Sequence, residues 1–328
     1  MSIIPEDTAP AFPSPVARDD VRPKLLELLG LESLPDDVAF ELDPPEVEGR
    51  LRVQRLRFVN SQGETVPGAL CAPIDAEHEL PGVVCLPGTG GSAEQLADAR
   101  FHRPSETSGP LVGWSRELAL RGFVTLAIGV KGTEARRASG TLEGWQAEAK
   151  LLAPYGRSQV GIVVEEVLGA ARVLASADGV DPLRIGLTGM SLGGNATWYA
   201  MACAPWIAAG VPICGSPSSL DTVVKLGDPE RHSSYFYIPH MLRYFDHADI
   251  VAACIFPRPF MMVAPTEDDD TPREGVDRLV QAVGPVYEAA GHGERFRVHQ
   301  PAGKHLYRIE YFELMVDWFG RHLAATQG

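Results

Sequence analysis

Five short segments of the chain are apolar almost without interruption: GVVCLPG (82–88), FVTLAIG (123–129), RIGLTG (184–189), GVPICG (210–215) and PFMMVAP (259–265). A strand with one wet face alternates apolar and polar residues, so unbroken runs of this length predict strands covered on both faces, as in a parallel sheet. Segments with helical spacing separate most of them: GWSRELALRG (113–122), SQVGIVVEEVLGAARVLASA (158–177) and SLGGNATWYAMACA (191–204). Upstream, LRVQRLRFVN (51–60) and VPGALCAP (66–73) flank a turn at Ser61-Gln62-Gly63, which predicts an antiparallel hairpin. The pattern therefore predicts an α/β architecture, a doubly wound and mostly parallel sheet with antiparallel N-terminal strands.

Two segments stand outside that rhythm. Residues 1–20 are rich in Pro, Ala and Asp, which predicts a flexible or surface-wrapped arm ahead of a short amphipathic helix in VRPKLLELLGL (21–31). Residues 21–328 then form a single domain. Between Gly215 and Arg258 the stretch SSYFYIPHMLRYFDHADIV (233–251) is too apolar for a solvated loop. It predicts a helical cap insertion over about residues 216–257 at the carboxyl edge of the sheet, with an extra packing helix as the alternative.

Composition narrows the function more than the fold. A formal net charge of -14 over 328 residues opposes long-range attraction to nucleic acid or anionic lipid, so neither is an expected partner. The N-terminus lacks the basic start and apolar run of a secretory signal. The most apolar helical stretch is broken by Glu165 and Glu166, so no membrane span is expected and a cytoplasmic location is. The five cysteines, Cys71, Cys85, Cys203, Cys214 and Cys254, have no C-x-x-C spacing, which predicts buried free thiols rather than a zinc or redox site. Oligomeric state is left open, a homo-oligomer included.

Candidate chemistry centres on Gly189-Met190-Ser191-Leu192-Gly193, a G-x-S-x-G pattern. Chance can supply so short a motif, but here a buried strand precedes it and a small-residue helix follows. That is the setting of a nucleophile elbow, in which a tight turn lifts the serine hydroxyl above the sheet and its neighbours must be small. A serine hydroxyl needs a base, and the base needs an orienting acid. In the chain order serine, acid, histidine, the base falls after the last strand, Phe296 to Gln300, where the loop Gly303-Lys304-His305 offers His305. His299 falls inside that strand and His322 near the end of the last helix, while His232, His240 and His247 fall in the insertion. The acid is expected after PFMMVAP, among Glu267, Asp268, Asp269 and Asp270. Backbone donors for an oxyanion are expected at Leu192, which opens the helix, and at Thr89 in the glycine-rich loop Pro87-Gly88-Thr89-Gly90-Gly91-Ser92. That loop lacks the lysine of a phosphate-binding P-loop.

The elbow GMSLGG, the loop PGTGGS, the acidic turn APTEDDDTP, the approach RYFDHADIVAACIFPRPFMMVAP and the terminal GKHLYRIEYFELMVDWFGRHL together resemble the α/β-hydrolase superfamily. Within it they resemble the dienelactone hydrolase and acetyl xylan esterase-like branch, over about residues 50–325. The resemblance implies an α/β-hydrolase fold and, from the Asp-x-x-x-Pro spacing of Asp268 to Pro272, selects Asp268 as the acid, with Asp269 and Asp270 behind it. Two departures stand out. Pro87 replaces the histidine that usually opens the oxyanion loop, and GVKGTEARR (129–137) replaces an aspartate–arginine pattern, leaving Lys131, Arg136 and Arg137 as either contacts to an anionic substrate or surface charges.

The expected function is a serine hydrolase of small acyl or aryl carboxylic esters, working through an acyl-enzyme on Ser191, Asp268 and His305, without cofactor or metal. The same scaffold acting on peptide, thioester or carbon–carbon bonds is the first alternative, because fold alone does not select the reaction. A catalytically silent binding protein and a metal hydrolase built on the aspartate run are the others.

Overall fold

The computed structural model describes residues 14–102, 111–227 and 232–324. Among the described residues ten strands join in one sheet: β1 (Phe40–Leu42), β2 (Glu46–Glu48), β3 (Leu51–Val59), β4 (Thr65–Pro73), β5 (Leu80–Leu86), β6 (Val124–Ile128), β7 (Val180–Met190), β8 (Ala209–Ile213), β9 (Phe260–Val263) and β10 (Phe296–His299). Their order is β1-β3-β4-β6-β5-β7-β8-β9-β10, with β2 beside β3. Pairs from β6 through β10 are parallel, and β1, β2, β3 and β4 join antiparallel. The expected α/β sheet with antiparallel N-terminal strands is present.

The unbroken apolar runs follow from a core on each side. In β5, Val84 and Leu86 face the helices Val21–Leu29, Gln159–Ala175 and Leu192–Cys203. Val83 and Cys85 of the same strand face Trp114–Leu120 and Ile309–His322. The same division holds in β9, where Phe260 and Met262 belong to the first core and Met261 and Val263 to the second. All five cysteines are buried, and none is in a disulfide. No helix among the described residues is long and apolar enough to cross a membrane.

β5 marks the place where the winding reverses. The chain leaves it for β6 on one side, then returns for β7 on the other. Loops leaving the carboxyl ends of β5 and β7 therefore diverge and open a crevice, the usual ligand position in such sheets.

Of the N-terminal arm, residues 1–13 lie outside the described residues. The described part is tied down, with Ser14 N–H donating to the Arg243 carbonyl and Arg18 Nη2 to the Ala252 carbonyl. The 216–257 insertion does two things. His232, Ser233, Tyr235 and Phe236 wall the crevice above β7. Further on, Met241, Phe245, Ile250 and Val251 sink into the first core against the helix Leu192–Cys203. Helix Leu142–Leu152 is an addition that the strand pattern does not announce, and its buried Trp145 anchors it beside Tyr235.

Candidate active site

Ser191 sits between β7 and the helix Leu192–Cys203 with φ 57° and ψ -114°, a combination L-residues rarely adopt. Local packing leaves little alternative. The Ser191 N–H donates to the Ile213 carbonyl of β8, and the Ser191 carbonyl accepts the Asn195 N–H one helical turn on. A Cβ at Gly193 would meet the Leu86 carbonyl oxygen at 2.4 Å, and one at Gly215 would meet the Ser191 carbonyl oxygen at 2.1 Å. Only glycine lets the elbow descend so far onto β5 and β8.

His305 arrives by continuation of the β9–β10 pairing beyond the regular strands. Ala264 N–H bonds to His299, Thr266 N–H to Pro301 and Glu267 N–H to Gly303, each through the carbonyl. The acidic turn and the histidine loop thus leave the sheet together. His305 Nε2 lies 2.9 Å from Ser191 Oγ. His305 Nδ1 lies 2.9 Å from both Asp268 Oδ1 and Oδ2. Asp268 is 3 % exposed, whereas Asp270 is only partly covered and places Oδ2 3.4 Å from the same Nδ1. The structure therefore brings Ser191, His305 and Asp268 together and adds Asp270; Asp269 points to the exposed side of the turn.

Leu192 is the first residue of its helix, so its N–H has no carbonyl partner within that helix and stands beside Ser191. Gly193 N–H donates to the Pro87 carbonyl, which fastens the elbow to the loop after β5. That loop comes close: a Cβ on Gly88 would stand 3.4 Å from Ser191 Cβ. Thr89 lines the same cavity, and its carbonyl accepts from Arg137 Nη2 while Arg137 Nε donates to the Gly132 carbonyl. At the far end of the helix, Arg258 donates to the carbonyls of Met201, Ala204 and Ile207. Burial draws its guanidinium pKa down to about 10, still high enough for a cation to complement the helix C-terminus.

Two expectations about the basic cluster need correcting. Lys131 is neither a surface charge nor a substrate contact, because Nζ pairs with Glu64 and Glu148 inside the protein. Arg136 likewise pairs with Glu64 and the buried Glu166. Glu166, which in sequence only interrupts an apolar helix, also accepts from Asn60 and the Lys131 N–H; burial nonetheless pushes its carboxyl above the usual range. Arg137 alone of the three reaches the cavity. Of the histidines in the insertion, His232 lines the cavity, His247 is buried against Trp198 and Tyr199, and His240 is exposed. His299 stacks edge-on to Tyr311, and His322 covers Trp318 rather than standing free in solvent.

The cavity over Ser191 holds about 230 Å³, below the range of drug-sized pockets and enough for a small group. Leu142, Tyr235 and Phe236 supply its apolar wall. Burial raises the Tyr235 phenol well above its ordinary pKa, so the wall stays neutral. A larger space of about 1380 Å³ lies between the N-terminal helix and β1–β3, away from Ser191 and His305.

A nucleophile-type elbow at the carboxyl edge of a mixed sheet, with the histidine after its last strand, defines the class: the chain has the α/β-hydrolase fold. No family model matches it. It is related to a Bacillus subtilis (strain 168) protein described as "Putative hydrolase YtaP", with 29% identity over 290 residues that cover 88% of this chain and 94% of that one. A "putative acetyl xylan esterase" from Bacteroides fragilis NCTC 9343 has a similar structure, with a TM-score of 0.72 at 19% identity, over 93% of this chain and 86% of the other. A glucuronoyl esterase from Solibacter usitatus gives 0.70 at 17%, covering 92% of each chain.

Proposed function

We propose that this protein is a serine hydrolase of carboxylic esters with a small acyl group. The observation that carries the reading is the unbroken hydrogen-bond chain from Ser191 Oγ through His305 to Asp268, each link 2.9 Å. In it His305 Nε2 removes the hydroxyl proton as Ser191 attacks the acyl carbon, and Asp268 holds Nδ1–H so that Nε2 is the free acceptor. The tetrahedral oxyanion sits at the helix N-terminus, within reach of the Leu192 N–H and, from the opposite loop, the Thr89 N–H. His305 then returns the proton to the leaving alkoxide, and water repeats the sequence on the acyl-enzyme. The esterases among the structural neighbours support the reaction type, and the cavity of about 230 Å³ supports a short acyl group.

The test is a panel of esters varied separately in acyl and alcohol parts, with amide and thioester analogues, run on the wild type and on Ser191→Ala. Short-chain esters should be turned over by the wild type, and the variant should lose about 10⁴-fold or more in kcat. Preference for the amide, or activity of the variant near that of the wild type, would overturn the reading. Labelling of Ser191 by a fluorophosphonate separates a working hydrolase from a silent one, and EDTA should leave the rate unchanged.

A further inference from the structure

We infer that Asp270 is a second carboxylate for His305, a positioning residue that shares the imidazolium charge with Asp268. The inference rests on the hydrolase reading for its consequence in turnover, but its geometry stands independently. Nδ1 of His305 has Asp268 Oδ1 and Oδ2 at 2.9 Å and Asp270 Oδ2 at 3.4 Å. Asp268 also builds the arrangement, since its Oδ1 accepts the Asp270 N–H at 3.0 Å and its carbonyl accepts the Thr271 N–H. This tight turn folds the Asp270 side chain back over the same nitrogen that Asp268 engages.

Two carboxylates on one N–H exceed what a neutral imidazole needs. They suit the imidazolium, the state His305 enters when it takes the serine proton. A single buried acid fixes the tautomer; a second, partly solvated one adds attraction to the cation without the desolvation cost of a second buried charge. His232, stacked on Phe236 and bonded to the Tyr237 hydroxyl, comes no nearer to Asp270 than 3.9 Å. Tyr235 of the insertion also faces Asp270, and Glu267, Asp269 and Lys304 on these loops are exposed. With His305 as general base, activity rises with pH as the imidazole becomes neutral. Removing a facing carboxylate makes the ring easier to deprotonate, so that limb should move to lower pH.

The experiment compares wild type, Asp270→Asn and Asp270→Glu, with the His305 titration followed by NMR on ring-labelled histidine and the pH dependence of kcat/KM followed in parallel. Asp270→Asn should titrate at lower pH by about one unit, with the kinetic limb moving alongside it and KM little changed, and Asp270→Glu should restore the wild-type value. A further pair, Asp268→Ala and Asp268→Ala with Asp270→Ala, should show activity surviving the single change within about 10²-fold of wild type, against about 10⁴-fold for loss of a lone acid, and vanishing in the double. A His305 titration identical in wild type and Asp270→Asn would overturn the proposal. If the wild type hydrolyses no ester, the hydrolase reading falls while the NMR comparison still decides the role of Asp270.

Discussion

Strain at Ser191 should be measurable as stability set against function. The residue holds φ 57° and ψ -114°, a region that costs a side-chain-bearing residue about 1–3 kcal/mol. Replacing it by Ala and by Gly removes the hydroxyl and its bond to His305 in both cases, so that loss cancels between the two. Ala keeps the Cβ and the strain. Gly releases the strain but adds unfolded-chain entropy that costs about 0.5–1 kcal/mol. The difference leaves Ser191→Gly more stable than Ser191→Ala by about 1 kcal/mol, on the order of 1–3 °C in Tm for a chain of this size. Urea unfolding followed by circular dichroism and by tryptophan fluorescence measures this directly, and coincidence of the two transitions checks that one free energy describes it. In an unstrained turn the order reverses, with Ala the more stable by about 1 kcal/mol. That reversal would refute the claim that the elbow stores strain, whatever the activities show.

Three other outcomes follow from the packing and electrostatics. Gly215→Ala would drive a Cβ to 2.1 Å from the Ser191 carbonyl oxygen; it should cost about 3 kcal/mol or more and abolish turnover, as unfolding and ester assays on the same sample would register. Arg137→Met frees the Thr89 carbonyl from its guanidinium and should lower kcat about tenfold with KM nearly unchanged, the mark of a group that positions an oxyanion donor; a pure KM effect would instead assign Arg137 to substrate binding. His247 is buried, and desolvation outweighs the nearby Asp246 carboxylate to lower its pKa to about 4. Its contribution, on the order of 3 kcal/mol, is present above about pH 6.5 and is lost as pH falls toward 4, because the unfolded chain takes up the proton first. The wild type should therefore lose stability across that window, and His247→Gln should show a flatter profile.

What the sequence determined by itself is local. Runs such as GVVCL, short and bounded by glycine and proline, predict strands with two covered faces, because in a strand with one wet face every second residue would carry an apolar side chain into water. The glycines around Ser191 declare a turn too tight for a Cβ, and the order of Ser191, the acidic turn and His305 follows from the order of the strands that carry them. Tertiary structure decided what depends on residues distant in the chain. Among four consecutive acidic residues, only the Asp-x-x-x-Pro spacing favours Asp268 in sequence; the continuation of the β9–β10 pairing through Thr266 and Glu267 buries Asp268, leaves Asp269 outside and turns Asp270 back onto His305. Lys131 and Arg136 look like surface or substrate-facing charges until the fold supplies Glu64, Glu148 and Glu166 from other elements. The 216–257 insertion is likewise divided by the fold, with one short stretch at the cavity and Met241, Phe245, Ile250 and Val251 in the core. Periodicity and turn chemistry act over a few residues and can be read in order, whereas the partner of a charge is set by the three-dimensional crossing of loops.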